Sequence, residues 1–391
     1  MEFTLSEEHR MIQQNVRQFM VREIDPVAEW IDREERFPDG TWTKLGELGL
    51  LGVTVEETFG GSGLDLLAAT LVIEQIARVC PALAVSYGAH SILCVDSIRR
   101  NGTEDQKKTY LPDLCSGRAI GCLALTEPNA GSDAVSLRTT ATRAGDFYYL
   151  SGTKMFITNA PEGQIFVTYA KTDPQKKAKG ISTFIVENIY PGFSVSRKLE
   201  KMGNRGSATG EVVFQDCRVP AENLMGQENE GIRIIMSGLD VERAFFAGEP
   251  LGIAEGALEL ALKYSLEREQ FGKPISQFQL IQAKLADMYT RIEAARFLVY
   301  RAAMMADQAT RGGKGTEVHK LAAAAILFTS ETATWVANEA LQVHGGYGYM
   351  MEYAINRFYR DAKLYEIGAG TSEIRRLIIG QELVSRGLEY P

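Results

Sequence analysis

The chain has 391 residues, of which 45% are hydrophobic and 24% charged; this composition is typical of globular proteins, and the length predicts two or three domains. The net charge of −8 argues against a nucleic-acid-binding protein. Five scattered cysteines without a CxxC pair, and four dispersed histidines, argue against a disulfide framework and a metal site. The N-terminus is acidic and polar, and no apolar run approaches about 20 residues, which predicts a cytoplasmic, bacterial protein without a membrane span.

Helical patterns come first along the chain. Ser6 precedes two acidic residues, as at the start of a helix, and residues 64–80 are almost entirely apolar, which predicts a buried helix. From about residue 121, short runs rich in Val, Ile, Phe, Thr and Tyr predict antiparallel strands. Helical periodicity then returns, and residues 281–299 carry a heptad-like apolar stripe. The sequence predicts an α+β fold with an N-terminal helical domain, a middle antiparallel β-domain and a C-terminal four-helix bundle domain, at residues 1–120, 121–230 and 231–391.

Five short segments could carry chemistry, although each has a simple structural interpretation when taken alone. "LTEPNAGSD" and "FITNA" are typical of strand ends followed by turns, and "REQFGKPI" of a helix end. "QVHGGYGYMMEYAINRFYRDAK" has paired glycines that could admit a diphosphate, but the dinucleotide fingerprint GxGxxG after a strand is absent. "EIGAGTSEIRR" is a glycine turn that presents only Ala369 where a reactive side chain would be expected.

In their order along the chain, these segments resemble the acyl-CoA dehydrogenase family of flavoproteins. The resemblance spans essentially the whole chain, and it is strongest to the isovaleryl-CoA dehydrogenase branch through "YGAHSILC", "SGLDVER" and "RDAKLYEIGAGTSE". It implies α,β-dehydrogenation of an acyl-CoA thioester, in which a base takes the α-proton and the β-hydrogen leaves as hydride to N5 of the flavin. The expected cofactor is therefore FAD.

The resemblance implies FAD contacts from two subunits. Residues at the strand ends would contact the isoalloxazine ring, with Phe156 where many members have tryptophan. Others would reach the FAD of a neighbouring subunit, so the resemblance implies a homotetramer built as a dimer of dimers. The implied FAD contacts are Leu123, Leu125, Thr126, Ser132, Phe156, Thr158, Arg268, Phe271, Gln342, Gly345, Gly346, Thr371 and Glu373.

The catalytic base is the point at which this sequence departs from most of the family. Most members have a glutamate at the position of Ala369, whereas in the isovaleryl branch the glutamate comes from another helix and falls here at Glu242. Without the resemblance, Glu242 would be interpreted as a surface residue beside Arg243. We expect Glu242 to be the base and the backbone N–H of Ala369 to bind the thioester oxygen.

The resemblance also implies a set of substrate contacts, and Lys201 and Arg205 are candidates for the CoA phosphates. Glu249 differs from the glycine usual in this branch, and two interpretations stay open: an ion pair inside a helix, or a polar group at the far end of the acyl pocket beside Phe245. The implied substrate contacts are Ser132, Leu239, Asp240, Arg243, Phe246, Glu249, Gly368 and Gly370.

Three classes of function are consistent with these features. The favoured one is a dehydrogenase of a short branched-chain or 2-/3-substituted acyl-CoA that passes electrons to an electron-transfer flavoprotein. An aryl-substituted or dicarboxylic acyl-CoA is an alternative substrate. A flavin oxidase or monooxygenase on the same fold is the second class; oxidases of this kind are usually longer, and this chain stops soon after "IRRLIIGQELVSRGLEY". The third class is an inactive CoA-binding scaffold, against which Glu242 argues.

Overall fold

The computed structural model describes residues 4–310 and 318–387, and its first part is helical. Ser6 caps the first helix by accepting a hydrogen bond from the His9 N–H, as the sequence predicts. A π-helical stretch, Ala89–Asp96, joins two of the helices. The α-helices of this part are α1 (Glu7–Phe19), α2 (Ala28–Glu34), α3 (Thr41–Glu47), α4 (Leu66–Ala77), α5 (Pro81–Gly88), α6 (Ser97–Asn101) and α7 (Glu104–Cys115).

Strands follow, and eight of them form one sheet. The strands are β1 (Gly121–Ala124), β2 (Thr140–Ala144), β3 (Phe147–Thr158), β4 (Ile165–Lys171), β5 (Ile181–Glu187), β6 (Phe193–Lys198), β7 (Thr209–Pro220) and β8 (Leu224–Met225). Their order in the sheet is β6-β7-β3-β2-β4-β5-β8, and β1 pairs with β4 outside this order. Most pairings are antiparallel, but β1 and β2 each run parallel to β4. A long connection between paired strands permits this parallel arrangement.

Long helices form the last part of the chain. The predicted apolar stripe on one of them is buried at Met288, Ile292, Ala295 and Val299. The elements are α8 (Gly231–Phe246), α9 (Gly248–Glu267), a small hairpin of β9 (Glu269–Gln270) and β10 (Lys273–Pro274), α10 (Gln279–Thr310), α11 (Val318–His344), α12 (Ala354–Ala362) and α13 (Ser372–Arg386). Helices α8 to α11 pack on one another as a bundle.

One hydrophobic core joins the first and last parts of the chain. It includes residues of α1, α4 and α5 together with residues of α8 to α12. A second core lies between the helices and one face of the sheet and contains Cys94, Val167 and Ile234, which belong to three different elements. The helix α8 therefore packs against both the other bundle helices and the sheet. Among the described helices, none combines the length and the apolarity needed to cross a bilayer.

Candidate active site

Glu242 lies on α8 at a pocket between helices and sheet. The pocket is lined by the π-helical stretch and α6, by the end of β1, by β4 and by α8. Its lining residues are Ile92, Leu93, Ser97, Arg100, Leu123, Leu125, Tyr169, Ile234, Ile235, Gly238, Leu239 and Glu242. The structure thus brings together Leu123, Leu125, Leu239 and Glu242 from the predicted site. The remaining lining residues were not predicted as site residues, although Ile92, Leu93 and Gly238 lie in the quoted segments "YGAHSILC" and "SGLDVER".

The carboxyl group of Glu242 is in a largely apolar environment with positive charges nearby. Burial raises its pKa to about 7, and the guanidinium groups of Arg243, Arg375 and Arg100 oppose the shift. Tyr169 faces it from β4, and the Glu242 charge contributes to the raised pKa of that phenol after burial itself. A carboxyl with this pKa is near half-ionised at neutral pH, which suits a group that must accept a proton.

The turn that contains Ala369 precedes α13, and a buried side chain of that helix holds the turn in place. Ala369 has φ 54°, a left-handed conformation, and Gly370 has φ 88°. Thr371 caps α13 by accepting a hydrogen bond from the Ile374 N–H. Arg375, whose side chain is fully buried, donates a hydrogen bond of 2.7 Å to the Gly368 carbonyl. The Ala369 N–H donates no hydrogen bond to another described residue, so it is available to a ligand.

Asp240 and Arg243 form a small polar cluster on α8. Arg243 Nη1 lies 3.7 Å from Asp240 Oδ1, and His319 Nδ1 lies 2.5 Å from the same oxygen. Arg243 is buried, and its Nε and Nη1 have no hydrogen-bond partner among the described residues. A buried guanidinium with unused donors is costly unless a ligand or a neighbouring group accepts from them. The cluster is thus suited to a polar part of a bound molecule.

The ends of β1 and β3 are fixed by a buried ion pair. Lys154 Nζ donates to Glu127 Oε1 at 2.8 Å and to the Leu125 carbonyl at 3.2 Å. Thr126 accepts from the Met155 N–H, which ties the two strand ends together. Phe156, two residues after Lys154, has φ 61° and is 66% exposed. A rigid backbone thus presents an uncovered aromatic ring, which fits the flat apolar surface of a flavin.

Thr158, Ser132, Gln342 and Glu373 lie outside the Glu242 pocket. Thr158 is half-buried at the end of β3, and the other three are exposed. The charged groups of Lys201 and Arg205 are already engaged by other residues of the chain. Lys201 donates to the Ser207 carbonyl, and Arg205 pairs with Glu35 at 2.9 Å. These contacts weaken the case for Lys201 and Arg205 as CoA-phosphate ligands.

A larger cleft of about 530 Å³ shares no lining residue with the Glu242 pocket. The Arg268 guanidinium lies 5.4 Å from the ring centre of Tyr347 in this cleft, and it forms no ion pair with the described residues. Phe271, beside the cleft, is 93% exposed. The lining residues are Tyr264, Arg268, Gln270, Ile275, Val343, His344, Gly345, Gly346, Tyr347 and Met350. A free guanidinium beside exposed glycine backbone fits a diphosphate.

Glu249 lies at the start of α9 and is fully buried. Tyr365 donates its hydroxyl to Glu249 Oε1, and Glu249 Oε2 has no partner among the described residues. Burial raises the pKa of Glu249 well above its ordinary value, and the hydrogen bond from Tyr365 opposes the shift. None of the described residues forms an ion pair with Glu249. Within that part of the chain, this excludes the interpretation of Glu249 as half of an ion pair inside a helix.

Comparison with known proteins decides the family. The acyl-CoA dehydrogenase N-terminal, middle and C-terminal domain models match residues 6–118, 122–217 and 229–384. The chain is 49% identical over 381 residues to a mitochondrial isovaleryl-CoA dehydrogenase of Pongo abelii (96% of this chain, 89% of that one) and 47% identical to a mitochondrial 2-methylacyl-CoA dehydrogenase of Solanum tuberosum (97% and 91%). The butyryl-CoA dehydrogenase structure from Megasphaera elsdenii superposes with a TM-score of 0.93 at 40% identity, covering 98% of this chain and 100% of that one. The chain belongs to the acyl-CoA dehydrogenase family.

Membership of the acyl-CoA dehydrogenase family confirms two sequence predictions. The family and its isovaleryl-like relatives are those that the motifs indicated, and the fold is the predicted succession of helical, β and helical parts. The protein is thus an acyl-CoA dehydrogenase-type oxidoreductase. No three His, Cys, Asp or Glu side chains within residues 4–310 and 318–387 cluster as metal ligands would.

Proposed function

We propose that the protein catalyses the FAD-dependent α,β-dehydrogenation of a short branched-chain or 2-/3-substituted acyl-CoA to the 2-enoyl-CoA. The observation that carries the proposal is the placement of Glu242: a carboxyl in a largely apolar pocket, with a pKa raised by burial to about 7, in a chain whose glycine turn has Ala369 and no carboxylate. Glu242 takes the α-proton of the thioester.

The chain supplies two aids to this proton transfer. Removing an α-proton places negative charge on the thioester oxygen, and the free Ala369 N–H is a donor that can receive it. The apolar lining of the pocket limits the access of water to the Glu242 carboxyl. Arg243 and Arg100 keep Glu242 ionised in a larger fraction of molecules than burial alone would allow.

The FAD would supply, when bound, the acceptor for the β-hydride. Leu125, Thr126 and Phe156 would lie against its ring system, with Thr158 at the same strand end, because the ends of β1 and β3 present these residues together. Gly345, Gly346 and Arg268 would hold the diphosphate of a partner subunit's FAD, with Phe271 and Gln342 beside it. We therefore expect a homotetramer in which each cofactor has residues of two chains around it, and an electron-transfer flavoprotein as the electron acceptor.

The proposed acyl group is a short aliphatic chain, although Phe246, an expected substrate contact, does not line the Glu242 pocket. The Phe246 ring packs on Gly88, where an added Cβ would lie 2.5 Å from Phe246 Cε1, so the ring fills the space between α5 and α8. The relatives with branched substrates in their names agree with this class. Glu249, seven residues after Glu242, is an acid and offers no positive charge to the distal carboxylate of a dicarboxylic acyl-CoA.

The decisive experiment is a Glu242→Gln substitution, read by anaerobic bleaching of the flavin with a panel of acyl-CoAs (isovaleryl, isobutyryl, 2-methylbutyryl, butyryl, octanoyl, and aryl and dicarboxylic derivatives). Glutamine keeps the size of the side chain but cannot accept the α-proton. We expect the variant to stay yellow and to bind acyl-CoA, while the bleaching rate falls by about 10²–10⁴-fold.

Glu267→Gln is the matched control, because Glu267 is exposed near the end of α9. It should bleach at the wild-type rate. Near-normal bleaching of the Glu242 variant would place the base elsewhere and overturn the proposal. Fast reoxidation of the bleached wild type in air would indicate an oxidase, and no bleaching by any acyl-CoA would indicate a binding protein.

A further inference from the structure

Arg375 on α13 is the largest of the fully buried side chains. It donates from Nη1 to the Tyr365 carbonyl at 2.7 Å and to Ser330 Oγ on α11 at 3.1 Å, and from Nη2 to the Gly368 carbonyl at 2.7 Å. The guanidinium therefore ties together α11, the segment before the glycine turn, and the turn itself. A planar fork of donors can satisfy several carbonyls in fixed directions, which lysine cannot.

The bond to Gly368 bears directly on Ala369. The Gly368 carbonyl and the Ala369 N–H belong to the same peptide group, and that group is planar. Holding the carbonyl therefore fixes the direction of the N–H. Ala369 is in the left-handed region, which is unfavourable for an L-residue, so the turn needs outside support to keep this conformation.

The charge of Arg375 also acts on Glu242, where it lowers the pKa of the carboxyl. The carboxyl of Glu242 is influenced by Arg243 on its own helix, Arg375 on α13 and Arg100 on α6, with Tyr169 on β4 as its other titratable neighbour. Burial lowers the pKa of Arg375 to about 10, with Arg243 adding to the shift, so Arg375 stays protonated at neutral pH. Its Nε has no partner among the described residues.

We propose that Arg375 is a positioning residue that aims the Ala369 N–H at the substrate and balances the charge of Glu242. The inference rests on the proposed function, since it gives Arg375 a purpose only if Glu242 is the base. One side chain thus serves both halves of the proton transfer: the N–H that receives the developing charge and the carboxylate that removes the proton. It compensates for a turn that has no carboxylate of its own.

Two substitutions separate the roles of Arg375. Arg375→Lys keeps the charge but loses the fork, so kcat should fall about tenfold to a hundredfold as the N–H loses its direction, while the acidic limb of the kcat/KM pH profile stays in place. Arg375→Met loses both the charge and the planar set of donors. Because the charge of Arg375 lowers the pKa of Glu242, the acidic limb of the kcat/KM pH profile of this variant should also move to higher pH. FAD content and circular dichroism show whether each variant is folded.

Arg376→Met is the control, because Arg376 is an exposed neighbour that pairs with Glu331 at 2.5 Å. It should leave kcat and the acidic limb unchanged. Wild-type kcat in folded Arg375→Lys would overturn the proposal, and so would a loss of thermal stability alone; if the methionine variant does not fold, the lysine variant decides. Glu242→Gln, measured in parallel, tests the base itself, so failure of the proposed function is seen separately from failure of this inference.

Discussion

At the scale of single residues, the proposal that Glu242 is the base leads to a prediction about Ala369 in the glycine turn. Ala369 already has the left-handed conformation, so a glutamate placed there would require no new backbone geometry. In the Glu242→Gln background we expect Ala369→Glu to restore bleaching about tenfold to a hundredfold, and more for butyryl-CoA than for isovaleryl-CoA. The new side chain would fill the space that a branch needs.

The measurement is the bleaching rate of the double variant with the two substrates, beside the single Glu242→Gln variant. A restored activity that kept the wild-type preference for branched chains would contradict the explanation. In that case the small turn would not be what makes room for the branch. Ala369→Gln in the same background is the control, since it has the size of glutamate and no base.

Glu249 gives a prediction about stability. Because its pKa is raised in the folded protein, the folded state holds a proton that the unfolded state releases above its ordinary pKa of 4.5. The contribution of this group to stability is therefore complete below pH 4.5 and declines as the pH rises toward the folded pKa. Glutamine has no such proton, so the thermal midpoint of Glu249→Gln should fall less steeply than that of the wild type as the pH rises above 5.5.

The difference between the two proteins should grow by up to about 1.4 kcal/mol per pH unit, the value for one proton. The experiment is thermal unfolding at a series of pH values, with Glu267→Gln as an exposed control that should follow the wild type. Parallel curves for the Glu249 variant and the wild type would mean that Glu249 is ionised in the folded state.

At the scale of elements, periodicity predicted the helices and strands because each pattern is local. The buried stripe at Met288, Ile292 and Val299 follows from helical spacing alone, and the Ser6 cap from one hydroxyl before a helix. The parallel pairing of β1 with β4 depends on a connection of about forty residues, and no local pattern encodes it.

The site residues also divide into those that a local pattern identifies and those that depend on the packing of distant segments. Motifs carried by one segment, such as Leu123 and Leu125 or the glycines of the cleft, were found in the sequence. Arg100 and Tyr169 were not, because they reach Glu242 only when α6 and β4 pack beside α8. Arg375 stood next to the glycine turn in "EIRR", yet nothing in the sequence distinguished it from exposed Arg376; burial separates the two.

At the scale of the whole molecule, the Glu242 pocket and the Arg268 cleft share no lining residue, so the proposed chemistry and the proposed contacts to a partner's FAD lie at separate sites. The Arg268 guanidinium lies over Tyr347 without a carboxylate partner among the described residues, at the end of α9. If it binds the diphosphate of a partner subunit's FAD, reversing its charge should weaken cofactor retention and assembly together. Arg268→Glu should therefore lose flavin on gel filtration and elute as smaller species.

The test compares flavin content per chain and mass by light scattering, before and after added FAD. Lys263→Glu is the matched control, because Lys263 is exposed on the same helix and carries the same charge. It should remain yellow and fully assembled. If the Arg268 variant keeps a full complement of FAD in an unchanged assembly, the cleft does not hold a partner's cofactor, and Gly345 and Gly346 need another explanation. If excess FAD restores the assembly, cofactor and subunit binding are coupled through this one side chain, as a cleft shared between chains requires.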